Sequence, residues 1–343
     1  MTTTKPESVY CGLDLHSSNT MAAIIDAQGH RLVHSKRPNR IEDLLSFLQP
    51  YRERLAGIGV ESTYNWYWLV DALGEAALPV VLGHPSAMRP YSGLKHTDDK
   101  TDAYWLADLM RLGLFPKAYV YPKEDRPLRD LLRRRMLLVE NRTSLLVSFS
   151  SMHARQNGIT PKRKDVMEWS EADLEAAFSD PMSRLAAKAL VNSLQHLDTE
   201  IHLLEKAARK ASKANELRCR AQTMPGIADI LGMVIALETG TLERFPSAEH
   251  YASYCRTVPG HRSSNNKKKG EGNTRNGNKY LAWAWIEAAQ FARRYNPKAR
   301  AWFDRKAAAT NKMIASKALA CKMCKAGYYV MRDGVDFDEN RAF

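Results

Sequence analysis

The chain has 343 residues, of which 44% are hydrophobic and 26% are charged, and this is the composition of an ordinary globular protein. Lysine and arginine number 51 against 38 for aspartate and glutamate, so the formal net charge of +13 favours a polyanionic partner such as nucleic acid. The sequence has neither an apolar run of the roughly 18 residues that span a membrane nor the start of a signal peptide, so we expect a cytoplasmic protein without a membrane partner.

The first 125 residues alternate between strand and helix patterns, which is typical of an α/β domain. Strands are predicted at Val9–Asp14, Asn19–Asp26, Arg31–Lys36, Ala56–Glu61 and Leu78–Leu82, and helices at Ile41–Leu55, Tyr64–Glu75 and Asp99–Met110. Three hairpin-linked strands followed by alternating helices and strands is the element order of the RNase H fold. We therefore predict an RNase H-like N-terminal domain over residues 1–125.

Strand signals stop at Arg126, and two long helices are predicted in the next segment. The first carries leucines from Leu128 to Leu146 and is broken by Gly158 and Pro161. The second carries a seam with the 4-3-4-3 spacing of a heptad, made of Leu190, Leu194, Leu197, Ile201 and Leu204. We predict a helical coiled-coil insertion over residues 126–215, which forms either an antiparallel hairpin or a contact between subunits.

Residues 216–343 are predicted to form a mostly α-helical domain that contains one polar loop. Helices are predicted at Ala228–Leu237, Glu243–Tyr254, Tyr280–Arg294 and Pro297–Tyr329, with a polar, frayed tail behind them. Residues 259–279 are rich in glycine, asparagine and lysine and nearly free of apolar side chains. This composition predicts a flexible basic loop.

Four carboxylates stand at the ends of predicted strands or at the start of a predicted helix. Asp14 and Glu61 each end a strand, whereas Asp99 and Asp102 share one face of a helix that Asp98 is expected to cap. Any one of these four carboxylates, taken by itself, is typical of a residue that caps a helix, lies in a loop or forms an ion pair. Together they are hard oxygen ligands that suit Mg²⁺ or Mn²⁺, and two such ions can bind the attacking and leaving oxygens of a phosphodiester. We predict that Asp14, Glu61, Asp99 and Asp102 bind metal and are catalytic.

Cations cluster in two segments of the chain. The polar loop holds Arg262, Lys267, Lys268, Lys269, Arg275 and Lys279, opposed by Glu271 alone. The start of the first long helix holds Arg126, Arg129, Arg133, Arg134 and Arg135. We predict that the loop cations, together with Arg133 and Arg134, bind the phosphates of nucleic acid. The alternative for each cluster is a solvated charged face.

The motifs resemble those of one known family when they are taken in order. They are Tyr10-Cys-Gly-Leu-Asp14, Val60-Glu61-Ser-Thr-Tyr64, Thr97-Asp-Asp-Lys-Thr-Asp102-Ala103, Met224-Pro-Gly-Ile-Ala228, Val258-Pro-Gly-His-Arg-Ser-Ser264-Asn and Asn276-Gly-Asn-Lys-Tyr-Leu281. Over nearly the whole chain they resemble the DEDD transposases of the insertion-sequence one-ten family. These are relatives of Piv-type DNA invertases, and some are bridge-RNA-guided recombinases.

The resemblance implies a RuvC-like catalytic domain at residues 1–125, a coiled-coil insertion at 126–215 and a transposase domain at 216–343. It assigns the family's four carboxylates to the four acidic residues named above. It also implies a serine nucleophile that joins covalently to DNA, which maps to Ser264 with Ser263 as its immediate rival. Two positions depart from the family's motifs, because Asn265 and Ala228 stand where the family has glycine.

The expected function is that of an insertion-sequence transposase or site-specific recombinase, which exchanges DNA strands through a serine-linked intermediate. Its expected partners are element-end and target DNA, a structured guide (bridge) RNA, and further copies of the chain in a dimer or tetramer, associated with the nucleoid. Two alternatives stay open. One is a RuvC-like structure-specific endonuclease that uses metal-activated water, and the other is a non-catalytic nucleic-acid-binding protein.

Overall fold

The protein is described by a computed structural model that covers residues 7–88, 98–212, 215–258, 261–264, 267–271 and 276–343, with the backbone alone for 261–264 and 267–271. The chain divides into two compact units, Met1–Val120 and Tyr121–Phe343. Every helix in the described ranges is too short or too polar to cross a membrane.

The first unit is built on a mixed five-stranded sheet. Its strands are β1 (Val9–Leu15), β2 (Asn19–Asp26), β3 (Arg31–Pro38), β4 (Leu55–Glu61) and β5 (Val80–Gly83), in the spatial order β3-β2-β1-β4-β5. The pairs β1–β2 and β2–β3 are antiparallel, whereas β1–β4 and β4–β5 are parallel. The predicted α/β class of the N-terminal part is thereby confirmed. Its assignment to the RNase H fold rests on the element order and stays a prediction.

Helices cover both faces of this sheet. They are α1 (Ile41–Leu48), α2 (Tyr67–Glu75), α3 (Pro85–Met88) and α4 (Asp99–Arg111), and a 3₁₀ turn at Gln49–Arg54 follows α1. One sheet face buries Cys11 and Leu13 of β1 in a core with α1 and α2, and the other face receives α4. The helix predicted to reach Leu55 ends at Leu48, because Pro50 has no N–H to donate to the preceding turn.

The second unit begins with two long helices, α5 (Arg126–Asn157) and α8 (Pro181–Ala211), with short helices α6 (Arg163–Glu168) and α7 (Glu171–Ala177) between them. The long pair is antiparallel, since Gln156 contacts Ser183 at one end and Arg135 contacts Glu205 further along. Gly158 ends α5 in the left-handed conformation, with φ of 73°. The antiparallel hairpin is therefore formed within one chain.

The rest of the second unit is a helical bundle with one small hairpin. The helices are α9 (Glu216–Gln222), α10 (Asp229–Thr239), α11 (Ala248–Tyr254), α12 (Lys279–Tyr295), α13 (Pro297–Ala309), α14 (Lys312–Asp333) and α15 (Glu339–Ala342). Antiparallel strands β6 (His261–Ser264) and β7 (Lys267–Glu271) lie between α11 and α12. The bundle core centres on the buried rings of Tyr251, Trp285 and Tyr328. The predicted helical character of this region is confirmed.

Three local predictions in this unit are wrong. The stretch predicted as a loop over 259–279 contains β6 and β7. The helix predicted over Pro297–Tyr329 is two helices, because the side chain of Asn311 accepts from the N–H of Ile314 and so starts α14 with its own cap. The tail predicted to fray contains α15, which Lys298 contacts through Glu339.

Candidate metal centre and serine hairpin

Helix α4 lies directly on β1 because residue 12 is a glycine. A Cβ at Gly12 would stand 1.9 Å from the carbonyl oxygen of Ala103 and 2.7 Å from the N of Ala107. Asp14 follows two residues later and so lies on the same face of the strand as Gly12. Asp99 opens α4 one turn before Ala103. The close approach of strand and helix thus places the two carboxylates at one end of the contact.

Asp14 and Asp99 come together around a histidine. Among the described residues, Asp14, His16 and Asp99 form a group whose ligand atoms all lie within 4.8 Å of one another. The Nε2 of His16 is 3.1 Å from Asp14 Oδ2 and 3.4 Å from Asp99 Oδ2. Asp14 is buried, whereas the side chain of Asp99 is 53% exposed. The group is therefore closed on the side of the strand and open to solvent on the side of the helix.

Backbone hydrogen bonds hold His16 in this position. Its N–H donates to the carbonyl of Asn19 at 2.9 Å. Its carbonyl accepts from the side-chain amides of Asn39 at 3.0 Å and Asn65 at 2.9 Å. Asn65 in turn accepts from the hydroxyl of Thr63, two residues after β4 ends. The main chain at His16 is thus anchored to the start of β2 and to the loops that follow β3 and β4.

Glu61 and Asp102 are neighbours of this group but not members of it. Leu13 pairs with Val60 in the parallel ladder of β1 and β4, so Glu61 stands one register step further, beside Asp14. Asp102 lies in the first turn of α4, three residues after Asp99. The structure brings together Asp14 and Asp99 of the four predicted carboxylates, and it adds His16, which the sequence analysis missed. The spacing Asp14-Leu-His16 at a strand end was the available signal.

Asp98 caps α4, as the sequence predicts. Its carboxylate accepts from the N–H of Thr101 at 2.7 Å and from the Thr101 hydroxyl at 3.0 Å. These hydrogen bonds hold the pKa of the Asp98 carboxyl below its usual value. The cap fixes where α4 begins, and it thereby fixes the position of Asp99.

The donor set fits a divalent metal ion. The Nε2 of His16 is shielded from solvent and faces two carboxylates, and no described residue makes a hydrogen bond to it. Shielded polar atoms normally have a partner, so an atom of this kind in a polar group points to a ligand. Carboxylate oxygens suit Mg²⁺ and Mn²⁺, and an imidazole nitrogen shifts the preference towards the transition metal.

Ser263 and Ser264 lie on β6 of the small hairpin, which we call the serine hairpin (residues 261–264 and 267–271). Ser263 pairs with Lys268 and Ser264 with Lys267 in the antiparallel ladder. Of the predicted nucleic-acid contacts, the hairpin backbone carries Arg262, Lys267, Lys268 and Lys269. Lys279 is exposed at the start of α12, and Asn265 and Arg275 lie outside the described residues. The serine is therefore accompanied by four cationic positions on its own hairpin.

Arg133 and Arg134 occupy different environments. Arg134 is exposed on α5. Arg133 instead donates from Nε to Glu238 Oε1 at 2.6 Å and from its NH2 nitrogen to Oε2 at 2.8 Å. Arg129 approaches Oε2 of the same glutamate at 3.1 Å. Arg133 thus has a structural partner, and its predicted contact with nucleic acid stays a prediction.

Glu238 is a buried carboxylate that the sequence analysis missed. It lies in the apolar helix α10 with 2% of its surface exposed. Burial raises the pKa of its carboxyl, but the hydrogen bond from Arg133 and the charges of Arg129 and Arg133 outweigh burial, and the pKa lies below its usual value. Glu238 is therefore ionised and paired. The available signal was a single acidic residue near the end of an otherwise apolar helix.

The Met224-Pro-Gly turn between α9 and α10 has a packing role. Gly226 has φ of +85°, and a Cβ there would stand 2.4 Å from the carbonyl oxygen of Ala288 in α12. Glycine is required for this conformation and for this contact. The first glycine of the motif thus serves the packing of the turn on α12.

Comparison with known proteins identifies one family in both units. The profile of a DEDD transposase family of IS110 type matches residues 11–152, and that of the transposase IS116/IS110/IS902 family matches residues 219–304. The first match contains Asp14, Glu61, Asp99 and Asp102, and the second contains Ser263 and Ser264.

Curated relatives agree with these profiles. The chain is 26% identical over 236 residues to y4qE of Sinorhizobium fredii, which is named as a transposase, covering 68% of this chain and 57% of the relative. It is 24% identical over 230 residues to the transposase for insertion sequence element IS1111A of Coxiella burnetii, covering 66% and 62%. It is 26% identical to the 43.6 kDa protein of insertion element IS110 of Streptomyces coelicolor, covering 45% and 38%. The chain therefore spans less than two thirds of the length of each of these relatives. Both profiles and the named relatives agree, and the chain belongs to the IS110 family of DEDD transposases.

Proposed function

We propose that the protein is a metal-dependent transposase that cuts and rejoins DNA through a serine-linked intermediate. The observation that carries this proposal is the convergence of Asp14 and Asp99, which are far apart in the sequence, on the shielded Nε2 of His16. Two carboxylates that meet so closely repel each other, and a bound cation would offset that repulsion. The family to which the chain belongs supplies the reaction class.

Asp14, His16 and Asp99 would hold the metal ion, with Glu61 and Asp102 as further carboxylates at the edge of the group. When bound, Mg²⁺ or Mn²⁺ would polarise a phosphodiester and stabilise the negative charge that develops on its oxygens. Asp98 and Gly12 would not touch the metal ion. Asp98 fixes the residue at which α4 starts, and Gly12 fixes the distance between α4 and β1.

Ser264, with Ser263 as its alternative, would act as the nucleophile. Its Oγ forms a bond to phosphorus while the bond from phosphorus to a deoxyribose oxygen breaks, and the serine proton leaves as the deoxyribose oxygen gains one. The number of phosphodiester bonds is conserved, so a hydroxyl from another strand can reverse the step and join a new pair of ends. A serine hydroxyl needs activation for this attack, which the metal centre would provide.

DNA of the element ends and of the target would be the substrate, and a structured guide RNA and further copies of the chain would be partners in a dimer or tetramer. Support comes from the formal charge of +13 and from the cationic positions on the serine hairpin. Each lysine or arginine that neutralises a phosphate releases counterions, so binding should weaken steeply with salt.

A RuvC-like endonuclease is the second candidate. The group of Asp14, His16 and Asp99 lies wholly within the first unit and needs no residue of the serine hairpin for its assembly. Such a group could activate water instead of a serine, and the product would be nicked DNA without a covalent link to protein.

One assay separates these functions. The full chain is incubated with labelled element-end DNA, its flanking RNA and Mg²⁺, and is then denatured in detergent. We expect a covalent protein–DNA adduct in the wild type and in Ser263→Ala, and none in Ser264→Ala or in Asp14→Asn. Nicked DNA without an adduct would support the endonuclease, and shifted but intact DNA would support a non-catalytic binding protein.

A further inference from the structure

The segment that carries the serine hairpin is closed at its base. The N–H of Asn278 donates to the carbonyl of Tyr254 at 2.7 Å, and an NH2 nitrogen of Arg256 donates to the carbonyl of Gly277 at 2.8 Å. Gly277 has φ of +85°, and a Cβ there would stand 2.3 Å from the Tyr254 carbonyl oxygen. The chain therefore leaves α11 and returns to α12 at one point, with the hairpin between.

Both the oxygen and the nitrogen of the Asn278 side-chain amide make hydrogen bonds at this point. Its Oδ1 accepts from the N–H groups of Tyr280 at 2.9 Å and Leu281 at 3.1 Å, which caps α12. Its Nδ2 donates to Glu238 Oε2 at 2.7 Å. Asn278 is 7% exposed, so the amide works in a largely dry environment where each of these hydrogen bonds is strengthened.

Glu238 is held from the opposite side by α5. Arg129 and Arg133 both donate to its carboxylate, and their guanidinium carbons lie 3.5 Å and 4.4 Å from the ring centroids of Tyr121 and Tyr280. The side chain of Glu238 is 3% exposed. Both of its oxygens are occupied, so it can bind neither DNA nor a metal ion. Glu238 instead connects α5 and α10 with Asn278, the N-cap residue of α12.

We propose that Glu238 is a positioning residue for the serine hairpin, acting through Asn278. The carboxylate fixes the amide of Asn278, and Asn278 fixes the point at which the hairpin segment returns to the bundle. The consequence for the reaction rests on the proposed function of the hairpin serine. A loose base would let the nucleophile sample many positions, and misplacement by about 1 Å can cost a reaction a hundredfold.

Asn278→Ser tests this proposal, because serine caps a helix about as well as asparagine but lacks the amide that donates to Glu238. The chain offers a matched control in Asn296. That residue also caps a helix, α13, through the N–H of Ala299, and it also donates to a glutamate, Glu339, at 2.8 Å. Asn296→Ser therefore removes the same kind of bond at a place that is not part of the hairpin base.

Two measurements are made on the full chain. Amide hydrogen exchange of residues 261–271 should be at least about tenfold faster in Asn278→Ser, the factor expected for one lost hydrogen bond to a charged group, and unchanged in Asn296→Ser. The rate of adduct formation at saturating DNA should fall about tenfold to a hundredfold in Asn278→Ser, with the Kd for DNA unchanged. Asn278→Asp keeps the cap and sets a carboxylate against Glu238. It should make the amide exchange still faster and the adduct formation still slower than Asn278→Ser does.

The proposal would be overturned if amide exchange at the hairpin is unchanged in both Asn278 variants. It would also be overturned if Asn296→Ser increases that exchange as much as Asn278→Ser does. The exchange measurement does not depend on DNA chemistry. Faster exchange in a protein whose wild type forms no adduct would therefore support the positioning role and at the same time overturn the serine mechanism.

Discussion

Gly12 of β1 and Ala103 of α4 touch backbone to backbone, since a Cβ on Gly12 would stand 1.9 Å from the Ala103 carbonyl oxygen. This contact holds α4 against β1, which carries Asp14 near its end. The distance between Asp14 and Asp99, on which the proposed metal binding depends, is therefore set by a residue that has no functional group. Both the stability of the first unit and the geometry of the candidate metal centre should respond to a single methyl group at position 12.

Gly12→Ala should destabilise the protein and weaken its metal binding. The new methyl group meets main-chain atoms that cannot rotate away, so α4 must move, at a cost of about 1–3 kcal/mol or more in the free energy of unfolding. The measurement is chemical unfolding together with titration of Mn²⁺. Gly74→Ala in α2 is the control, because a Cβ there meets nothing within 4 Å and alanine favours a helix by about 0.5–1 kcal/mol. If Gly12→Ala and Gly74→Ala have the same free energy of unfolding and the same affinity for Mn²⁺, the contact between Gly12 and Ala103 does not have this role.

His16→Ala should lower the affinity for Mn²⁺ by at least about tenfold and the affinity for Mg²⁺ by less, because imidazole nitrogen is a better ligand for the transition metal. Electron spin-echo spectroscopy of bound Mn²⁺ should detect a ¹⁴N nucleus in the wild type and lose that signal in the variant. His30→Ala is the matched control, since the Nδ1 of His30 lies 2.9 Å from Asp26 and therefore faces one aspartate where His16 faces two. A nitrogen signal that persists in His16→Ala would show that the ligand is another residue.

The sheet of the first unit and the start of α4 were predictable because they are encoded locally. Apolar strands, the Gln28-Gly29 turn and the Asp98 cap each leave a signal within a few residues. The candidate metal group was predictable in part. Asp14 and Asp99 stand at element ends, whereas the inclusion of His16 depends on the amides of Asn39 and Asn65, which only the folded chain brings near.

The hairpin and the buried glutamate were not predictable for a related reason. Strands β6 and β7 consist almost entirely of polar residues, so they lack the alternation of apolar and polar positions by which a strand is recognised. The partners of Glu238 come from α5 and from Asn278, which lie 105 positions before and 40 positions after it. The break near Thr310 was missed because helix-forming sequence continues on both sides of it.

Glu238→Gln should make the protein less stable near neutral pH and less sensitive to acid. The pKa of Glu238 is lowered from its ordinary value of 4.5 by folding, so its ion pairs stabilise the native state fully above about that pH and are lost as the pH falls through the lower native value. The difference in melting temperature between wild type and variant should therefore be largest at pH 6–7 and shrink below pH 4.5. Removing one partner of a buried ion pair typically costs about 3–5 kcal/mol.

Glu249→Gln is the control for the acid experiment. Glu249 is exposed and pairs with Lys325, whose hydrogen bond lowers the pKa of the Glu249 carboxyl, as the arginines lower that of Glu238. Exposed pairs contribute little to stability, so this variant should follow the wild type at every pH. If the difference in melting temperature between the wild type and Glu238→Gln stays constant from pH 7 to pH 3, Glu238 is not ionised in the native state.

Mixing two inactive variants tests whether one DNA strand is cut by residues of two copies. Asp14→Asn keeps the serine and Ser264→Ala keeps the carboxylates, so a site shared between copies is restored in a mixed assembly whereas a site within one chain is not. Random pairing in a two-fold dimer should give about a quarter of the wild-type adduct, all of it on the Asp14→Asn chain, which a size tag identifies after denaturation. Each variant mixed with wild type is the control for assembly. If those controls form adduct and the mixture of variants forms none, then Asp14 and the serine act within the same chain.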